Sequence, residues 1–255
     1  MTTTTLPLTT RTGRAGRARL RALADRASQQ LADPDADTVL AWAAQTFGDR
    51  LAVTSSMSEA VLPHLAARHR PGVDVLFLDT GYHFDETLRT RDRVAEQLAV
   101  TVVDVRPDQT VAEQDADRGP RLHQRDPGVC CALRKVEPLR RALAGYDAWV
   151  TGVRRAESPG RAGTPVVTFD ESFGVVKISP LAAWSDEEVA LYAELHDLPG
   201  NPLLDQGYPS IGCGPCTRRV APGEDPRAGR WSGFAKTECG LHRGPRADEP
   251  RREAS

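Results

Sequence analysis

Nowhere in the 255-residue chain is there an apolar run approaching the roughly 20 residues that span a bilayer as a helix, so a helical membrane protein is excluded. A dominant charge is also missing. With 33 Lys and Arg against 35 Asp and Glu the net charge is −2, which argues against a general binder of nucleic acid. There is no internal repeat and no apolar opening segment of the secretory kind. Finally, the cysteine count is five, an odd number, whereas a secreted disulfide framework wants an even count and an export signal. A reducing, cytoplasmic compartment is therefore expected, and there paired cysteines more often bind metal or do chemistry.

What the chain does have is a particular arrangement of those five thiols. Cys130 and Cys131 are contiguous, Cys213 and Cys216 form a Cys-x-x-Cys pair, and Cys239 stands alone in Lys-Thr-Glu-Cys-Gly-Leu-His. Neighbouring cysteines bridge each other only with strain, so two pairs point to a shared metal centre rather than to disulfides. Structural zinc typically uses two Cys-x(2–4)-Cys hairpins a short distance apart, and contiguous thiolates crowd a small tetrahedral ion. A [4Fe–4S] cluster offers separate iron corners to four thiolates. The spacing favours the cluster and leaves zinc open. Cys239, beside glycine and histidine on a polar tail, is placed like a nucleophile.

The length suits one substantial α/β domain, and the 40% hydrophobic and 27% charged fractions are those of an ordinary globular protein. Strand and helix signals alternate. Leu51–Thr54, Val73–Leu78, Val100–Val105, Ala148–Thr151 and Val175–Ile178 read as strands. Helices are expected over Glu59–His69, Phe84–Leu98, Leu133–Ala144 (with Pro138 kinking it or starting a new helix) and from the Ser185–Glu188 capping box to about His196. This alternation predicts an α/β fold with a doubly wound, mainly parallel sheet, whose ligands sit at the carboxyl ends of the strands. The organisation expected is a disordered or helical N-terminal tail over 1–30, an α/β domain over 31–221, and a C-terminal tail over 222–255 carrying the reactive cysteine.

Several polar turns fall on that rim. Thr54-Ser-Ser-Met-Ser58 follows the first strand, Leu78-Asp-Thr-Gly81 ends the second, and Thr151-Gly152 ends a later one; together they outline a nucleotide-sized crevice. From Cys213 to Arg246 seven Lys and Arg face three acids. Either this is a solvated face or it draws an anionic substrate to Cys239, where arginine forks grip phosphate or sulfate oxygens.

Four segments together resemble one family: Cys-Cys-x-x-Arg-Lys-x-x-Pro-Leu (130–139), Phe-Leu-Asp-Thr-Gly-Tyr (77–82), Gly-Tyr-Pro-Ser-Ile-Gly-Cys-Gly-Pro-Cys-Thr (207–217) and Glu-Cys-Gly-Leu-His (238–242). They look like the bacterial, iron–sulfur type of assimilatory adenylyl-sulfate reductase, over about Leu51 to His242. The resemblance implies an adenine-nucleotide α-hydrolase-like sheet and one [4Fe–4S] cluster on Cys130, Cys131, Cys213 and Cys216. It implies thioredoxin-dependent reduction of adenosine 5′-phosphosulfate to sulfite and AMP, with no nucleic-acid or membrane partner. Cys239 would be the nucleophile, forming an S-sulfocysteine. Lys135 would bridge cluster and sulfate, and Arg227, Arg230 and His242 would line the sulfate and phosphate site. Ser55, Ser56, Asp79 and Gly152 would border the nucleotide, and Arg161, in competition with Arg154 and Arg155, would supply a further cation. The first βα turn departs from the Gly-rich loop of the wider superfamily, which weakens an ATP-cleaving reading. The alternatives are a reductase of the 3′-phosphorylated substrate, an iron–sulfur tRNA-thiolating enzyme and a zinc module. The stretch from about Pro222 to His242 is expected to be a mobile arm, in a tail punctuated by Gly223, Gly229, Gly233, Gly240 and Gly244, with few apolar anchors.

Overall fold

The computed structural model describes residues 13–31 and 34–242. The expectations for the extreme ends, including Arg243, Gly244 and Arg246, lie outside the described residues. Six strands form one sheet among those described: β1 (Leu51–Thr54), β2 (Val73–Leu78), β3 (Val100–Val105), β4 (Ala148–Thr151), β5 (Val167–Asp170) and β6 (Val175–Ile178). Their order is β3-β2-β1-β4-β6-β5. Every neighbouring pair is parallel except β5 with β6, which are antiparallel at one edge. The sheet is α/β, doubly wound and mainly parallel, as the alternation predicted.

Strand periodicity divides the core into two layers. Leu51 and Val53 of β1 and Ala148 and Val150 of β4 join one cluster, while Ala52 and Trp149 between them join the other. The first cluster packs under α1 (Arg14–Gln30), α2 (Ala36–Phe47) and α3 (Val61–His69). Next come α4 (Asp85–Gln97) and α5 (Val111–Arg118). The short α6 (Leu122–Arg125) and α7 (Pro127–Cys131) lead into α8 (Glu137–Leu143), and α9 (Asp186–Leu195) is the last α-helix among the described residues.

Five of these elements, α2, α5, α6, α7 and β5, were not expected from the sequence. Helix α5 has almost no apolar face, burying only Gln114, so its signal is the Thr110–Glu113 capping box rather than periodicity. Strand β5 is a four-residue edge. Helix α2 starts on an Asp35 cap that accepts the Thr38 N–H at 2.6 Å. The expected tail over 1–30 also changes character: Arg14–Gln30 is a helix whose Leu20, Ala24 and Ala27 are buried in the core, and Arg21 pairs with Glu171 beyond β5 at 2.6 Å. It belongs to the sheet's covering layer.

Pro138 lies in the first turn of α8, and the preceding Ala132–Val136 is a π-helical turn. Proline has no N–H to return to the carbonyl four residues back, so the ladder loosens there and the chain widens. That wide turn carries Arg134 inward. Arg134 is 3% exposed, donates to the Thr80 carbonyl and to Gln114 Oε1, and lies over the Tyr82 ring. Gly81, at φ +73°, leaves room for it: a Cβ there would sit 3.1 Å from the guanidinium. Arg134 thus ties α8, α5 and the β2 loop together. Arg134→Ala should leave those acceptors buried and unpaired and lower stability by about 3 kcal/mol. Thermal or denaturant unfolding checks this against Arg140→Ala, whose half-exposed side chain should cost well under half as much.

Candidate active site

In an open α/β sheet the natural crevice lies where the strand order reverses. Here that point is between β1 and β4, which pair in register so that Thr54 stands opposite Thr151. The chain leaves β1 through Ser55 and Ser56 and leaves β4 through Gly152 and Val153, and the two turns diverge around a cavity of about 880 Å³. The size suits a nucleotide. Leu62, Leu76, Leu78 and Val189 give it apolar walls. Ser55 Oγ accepts the Met57 N–H at 3.1 Å and so fixes the turn, while Ser56 and Ser58 share a hydroxyl contact at 3.2 Å. A Cβ on Gly152 would meet only Leu62 at 3.7 Å, so the protein itself would tolerate a side chain there.

Asp79 is the predicted border residue that does not line this cavity. Its carboxylate is used locally, accepting the Gly81 N–H at 3.1 Å and pairing with Arg106 at 3.2 Å. Glu59 was missed and does line the cavity. Its carboxylate accepts the Val61 N–H, which delays the start of α3 from the expected Glu59, and burial raises its pKa.

The opposite end of the cavity is cationic and carries the lone thiol. Lys135, Arg161, Arg227, Arg230, Cys239 and His242 all reach it. Their charges are not equally free. Arg161 is held by two carboxylates, Glu157 and Glu238, each at 2.6 Å. Arg227 donates to the Thr237 carbonyl at 3.0 Å. Among the described residues Arg230 donates to neutral oxygens only, Ser210 Oγ at 3.2 Å and the Ile211 carbonyl at 3.0 Å, and lies over Trp231. Burial works to lower the Lys135 pKa, but the sulfurs of Cys213, Cys239 and Cys131 outweigh it and the net shift is upward, so the ammonium is retained. His242 lines the same end of the cavity, as the resemblance implies, but as an uncharged ring. Burial first, then the surrounding cations, hold its pKa well below the usual histidine value, and the neutral ring stacks on Trp149 at 5.7 Å.

The other four thiols line a separate, smaller cleft together with Tyr82, His123, Arg134 and Trp231. Cys130 and Cys131 end α7, while Cys213 precedes and Cys216 ends the single turn Gly214–Cys216. All five cysteines are free thiols. Thr80 Oγ lies 3.3 Å from Cys213 Sγ. Burial, then repulsion from the neighbouring sulfurs, pushes Cys130 up to about 12 and Cys216 up to about 11. Lys135, Arg230 and Trp231 line both the cleft and the nucleotide-sized cavity, and so form the partition between them.

The tail is more firmly attached than its glycine content suggested. Arg218 N donates to the Gly229 carbonyl and Trp231 N to the Cys216 carbonyl, both at 3.0 Å, so residues 217–231 fold back along the Cys-x-x-Cys segment. Trp231 is 3% exposed, and Leu241 packs on the Trp149 side of the core. A Cβ on Gly212 would collide with the Arg230 guanidinium, so that glycine is needed for the close approach.

Comparison with known proteins agrees with this architecture. Residues 50–219 match the phosphoadenosine phosphosulfate reductase domain. The chain is 62% identical over 223 residues to a Streptomyces coelicolor protein named adenosine 5′-phosphosulfate reductase, covering 88% of this chain and 94% of that one. A Mycobacterium tuberculosis protein of the same name is 51% identical over 240 residues, with the same coverage. Among solved structures, a phosphoadenylyl-sulfate reductase from Candida auris in a phosphate complex superposes with a TM-score of 0.65 at 31% identity, covering 76% of this chain and 96% of that one. An FMN adenylyltransferase from Candida glabrata, at 12% identity and a TM-score of 0.52 over 79% of this chain and 74% of that one, shares the fold alone. By the match over residues 50–219 and by these identities, the chain belongs to the phosphoadenosine phosphosulfate reductase family.

Proposed function

We propose that this protein is a cytoplasmic adenylyl-sulfate reductase of sulfate assimilation and cysteine biosynthesis, converting adenosine 5′-phosphosulfate to sulfite and AMP at the expense of thioredoxin. The observation that carries the reading is the position of Cys239, half-buried at the cationic end of a nucleotide-sized cavity and beside Lys135 and Arg230, cations with no carboxylate partner among the described residues. The names of the relatives supply the substrate class.

In the reaction the adenosine occupies the β1/β4 crevice between the Ser55–Ser56 turn and Gly152, with the phosphosulfate directed toward Cys239. A thiolate and a sulfate repel one another, so the cations must neutralise the sulfate oxygens before attack can occur. Lys135, Arg227 and Arg230 do this. The Cys239 thiolate attacks the sulfate sulfur, the bond from that sulfur to the bridging oxygen breaks, and AMP leaves with the electron pair. Cys239 then carries an S-sulfonate. A thioredoxin thiolate attacks the cysteine sulfur and expels sulfite, and the second thioredoxin thiol resolves the mixed disulfide, regenerating the Cys239 thiolate. The substrate sulfur gains two electrons and the thioredoxin dithiol loses two.

The four-thiol cleft fits a [4Fe–4S] cluster held by Cys130, Cys131, Cys213 and Cys216. The donor set is all sulfur, no disulfide consumes it, and crowded thiols pushed to about 12 and about 11 need a cationic centre to hold them as thiolates. Such a cluster would cross-link the α7 end to the Cys-x-x-Cys turn and supply an electrostatic anchor behind Lys135.

Three measurements test this reading. Substrate given anaerobically without thioredoxin should leave a sulfite-mass adduct on Cys239. Cys239→Ser should form none, and the 3′-phosphorylated substrate should react far more slowly; an adduct elsewhere or equal rates would reject the assignment. Iron and acid-labile sulfide should both be found at cluster stoichiometry and be lost on replacing any one of the four ligands by serine, whereas zinc without sulfide would reject the cluster. Arg230→Ala and Lys135→Ala should each cost about 1.5–3 kcal/mol of transition-state binding, one to two decades in kcat/KM, with iron content unchanged.

A further inference from the structure

The residue before the nucleophile is tied down more strongly than the nucleophile itself. Glu238 accepts from Arg161 through both oxygens, from Nε at 2.6 Å and from Nη2 at 2.7 Å, a fork-to-fork pairing. The third guanidinium nitrogen, Nη1, donates to Glu157 at 2.6 Å, and Glu157 in turn accepts the Arg154 N–H at 2.8 Å. Arg161 is 11% exposed and sits on the short turn Pro159–Arg161 that follows β4. The scaffold therefore holds Arg161 in place from one side and presents its open fork to the tail. Arg227 adds to the grip, donating to the Thr237 carbonyl at 3.0 Å with Glu238 at 3.5 Å.

This arrangement bears on which cations meet the substrate. A guanidinium with a carboxylate on each of its three nitrogens has little charge left to offer a sulfate, and freeing it would leave two partly buried carboxylates beside an anion. We propose that Glu238 is a positioning residue that seats Cys239 over the cavity through the Arg161 fork, and that Arg161 acts as the fixed half of this clamp rather than as a substrate ligand. Anion binding is then left to Lys135, Arg227 and Arg230. The seat also meets a need of the chemistry: the Cys239 sulfur must be held in line behind the sulfate for the first step, and a segment pinned at one salt bridge can be released as a unit for the second. The assignment of Arg161 rests on the reductase reading above; the seating of Cys239 does not.

The test uses the full-length, cluster-loaded protein with Glu238→Gln, Arg161→Gln and the double variant. Alkylation of Cys239 by iodoacetamide, followed by peptide mass spectrometry, should be about tenfold faster in either single variant and no faster still in the double, because both remove the same contact. AMP affinity should be unchanged, within about twofold, when Arg161→Gln is added to Glu238→Gln. Single-turnover adduct formation on Cys239 should fall about tenfold in Glu238→Gln while the saturating substrate concentration stays put, a loss that a merely structural role would not confine to kcat. Glu238→Asp, which keeps the charge but shortens the reach, should lie between, and serves if the glutamine variant loses iron or thermal stability. Unchanged alkylation in variants of normal melting temperature would overturn the clamp. A tenfold loss of AMP affinity from Arg161→Gln in the Glu238→Gln background would overturn its second half and make Arg161 a ligand. A wild-type protein that binds no AMP would overturn the reductase reading and leave the alkylation result to decide the seat.

Discussion

Burying several cations at one end of a cavity is the constraint on which the rest of this structure depends. Lys135 and Arg230 stand in the partition between the nucleotide-sized cavity and the four-thiol cleft, and neither has a carboxylate partner among the described residues. Left alone, such groups would lose their charge or open the fold to water. They are retained by what lies on each side. Sulfur raises the Lys135 pKa against its own burial, and neutral oxygens and an indole face hold Arg230. Charge is thereby stored without being neutralised, which is what a site for a dianionic ligand requires. Arg161 is the counter-example in the same cavity: fully paired, it serves architecture.

The fold supplies the positions. The strand-order reversal at β1 and β4 opens the crevice, and both walls come from the turns that leave those strands. The π-helical turn before Pro138 then performs two tasks within five residues. It sends Arg134 inward to lock the β2 loop and α5, and it sends Lys135 into the partition. A regular α-helix places successive side chains about 100° apart. The widened turn alters that spacing immediately after Cys130 and Cys131, so two cleft-lining thiols, a structural cation and a cavity-facing cation can follow one another directly.

How much of this was legible in the sequence depended on the length scale of the cause. The parallel sheet could be read because its strands are near-continuous apolar runs, and the α9 start because Ser185 and Glu188 cap each other. Cysteine spacing separated the thiols into two pairs and one single, and the structure places the pairs in one cleft and Cys239 in the other cavity. Properties set by distant partners could not be read. Asp79 stands in a rim turn yet is consumed by Gly81 and Arg106. His242 stands among arginines yet is neutral, because burial on Trp149 and those same cations disfavour its charge. Glu59 was invisible as a cavity residue, since nothing local distinguishes it from an ordinary first-turn acid.

The tail shows the same limit and refines what its glycines mean. Composition suggested an arm free from about Pro222, but backbone pairing with the Cys213–Cys216 segment and the burial of Trp231 fix the chain that far. Beyond Trp231, residues 232–235 are exposed and Gly233 takes φ +89°, a conformation open to glycine at little cost. Past that stretch the contacts resume with Thr237, Glu238, Leu241 and His242. Whatever movement the two proposed half-reactions demand is therefore confined to a short segment, hinged near Gly233 and carrying Cys239 between an ion-paired latch and a stacked histidine. A short arm loses little conformational entropy when it closes. Its resting position then depends on a few contacts at its tip, where one salt bridge and one ring can decide whether the thiol faces the cavity or the solvent.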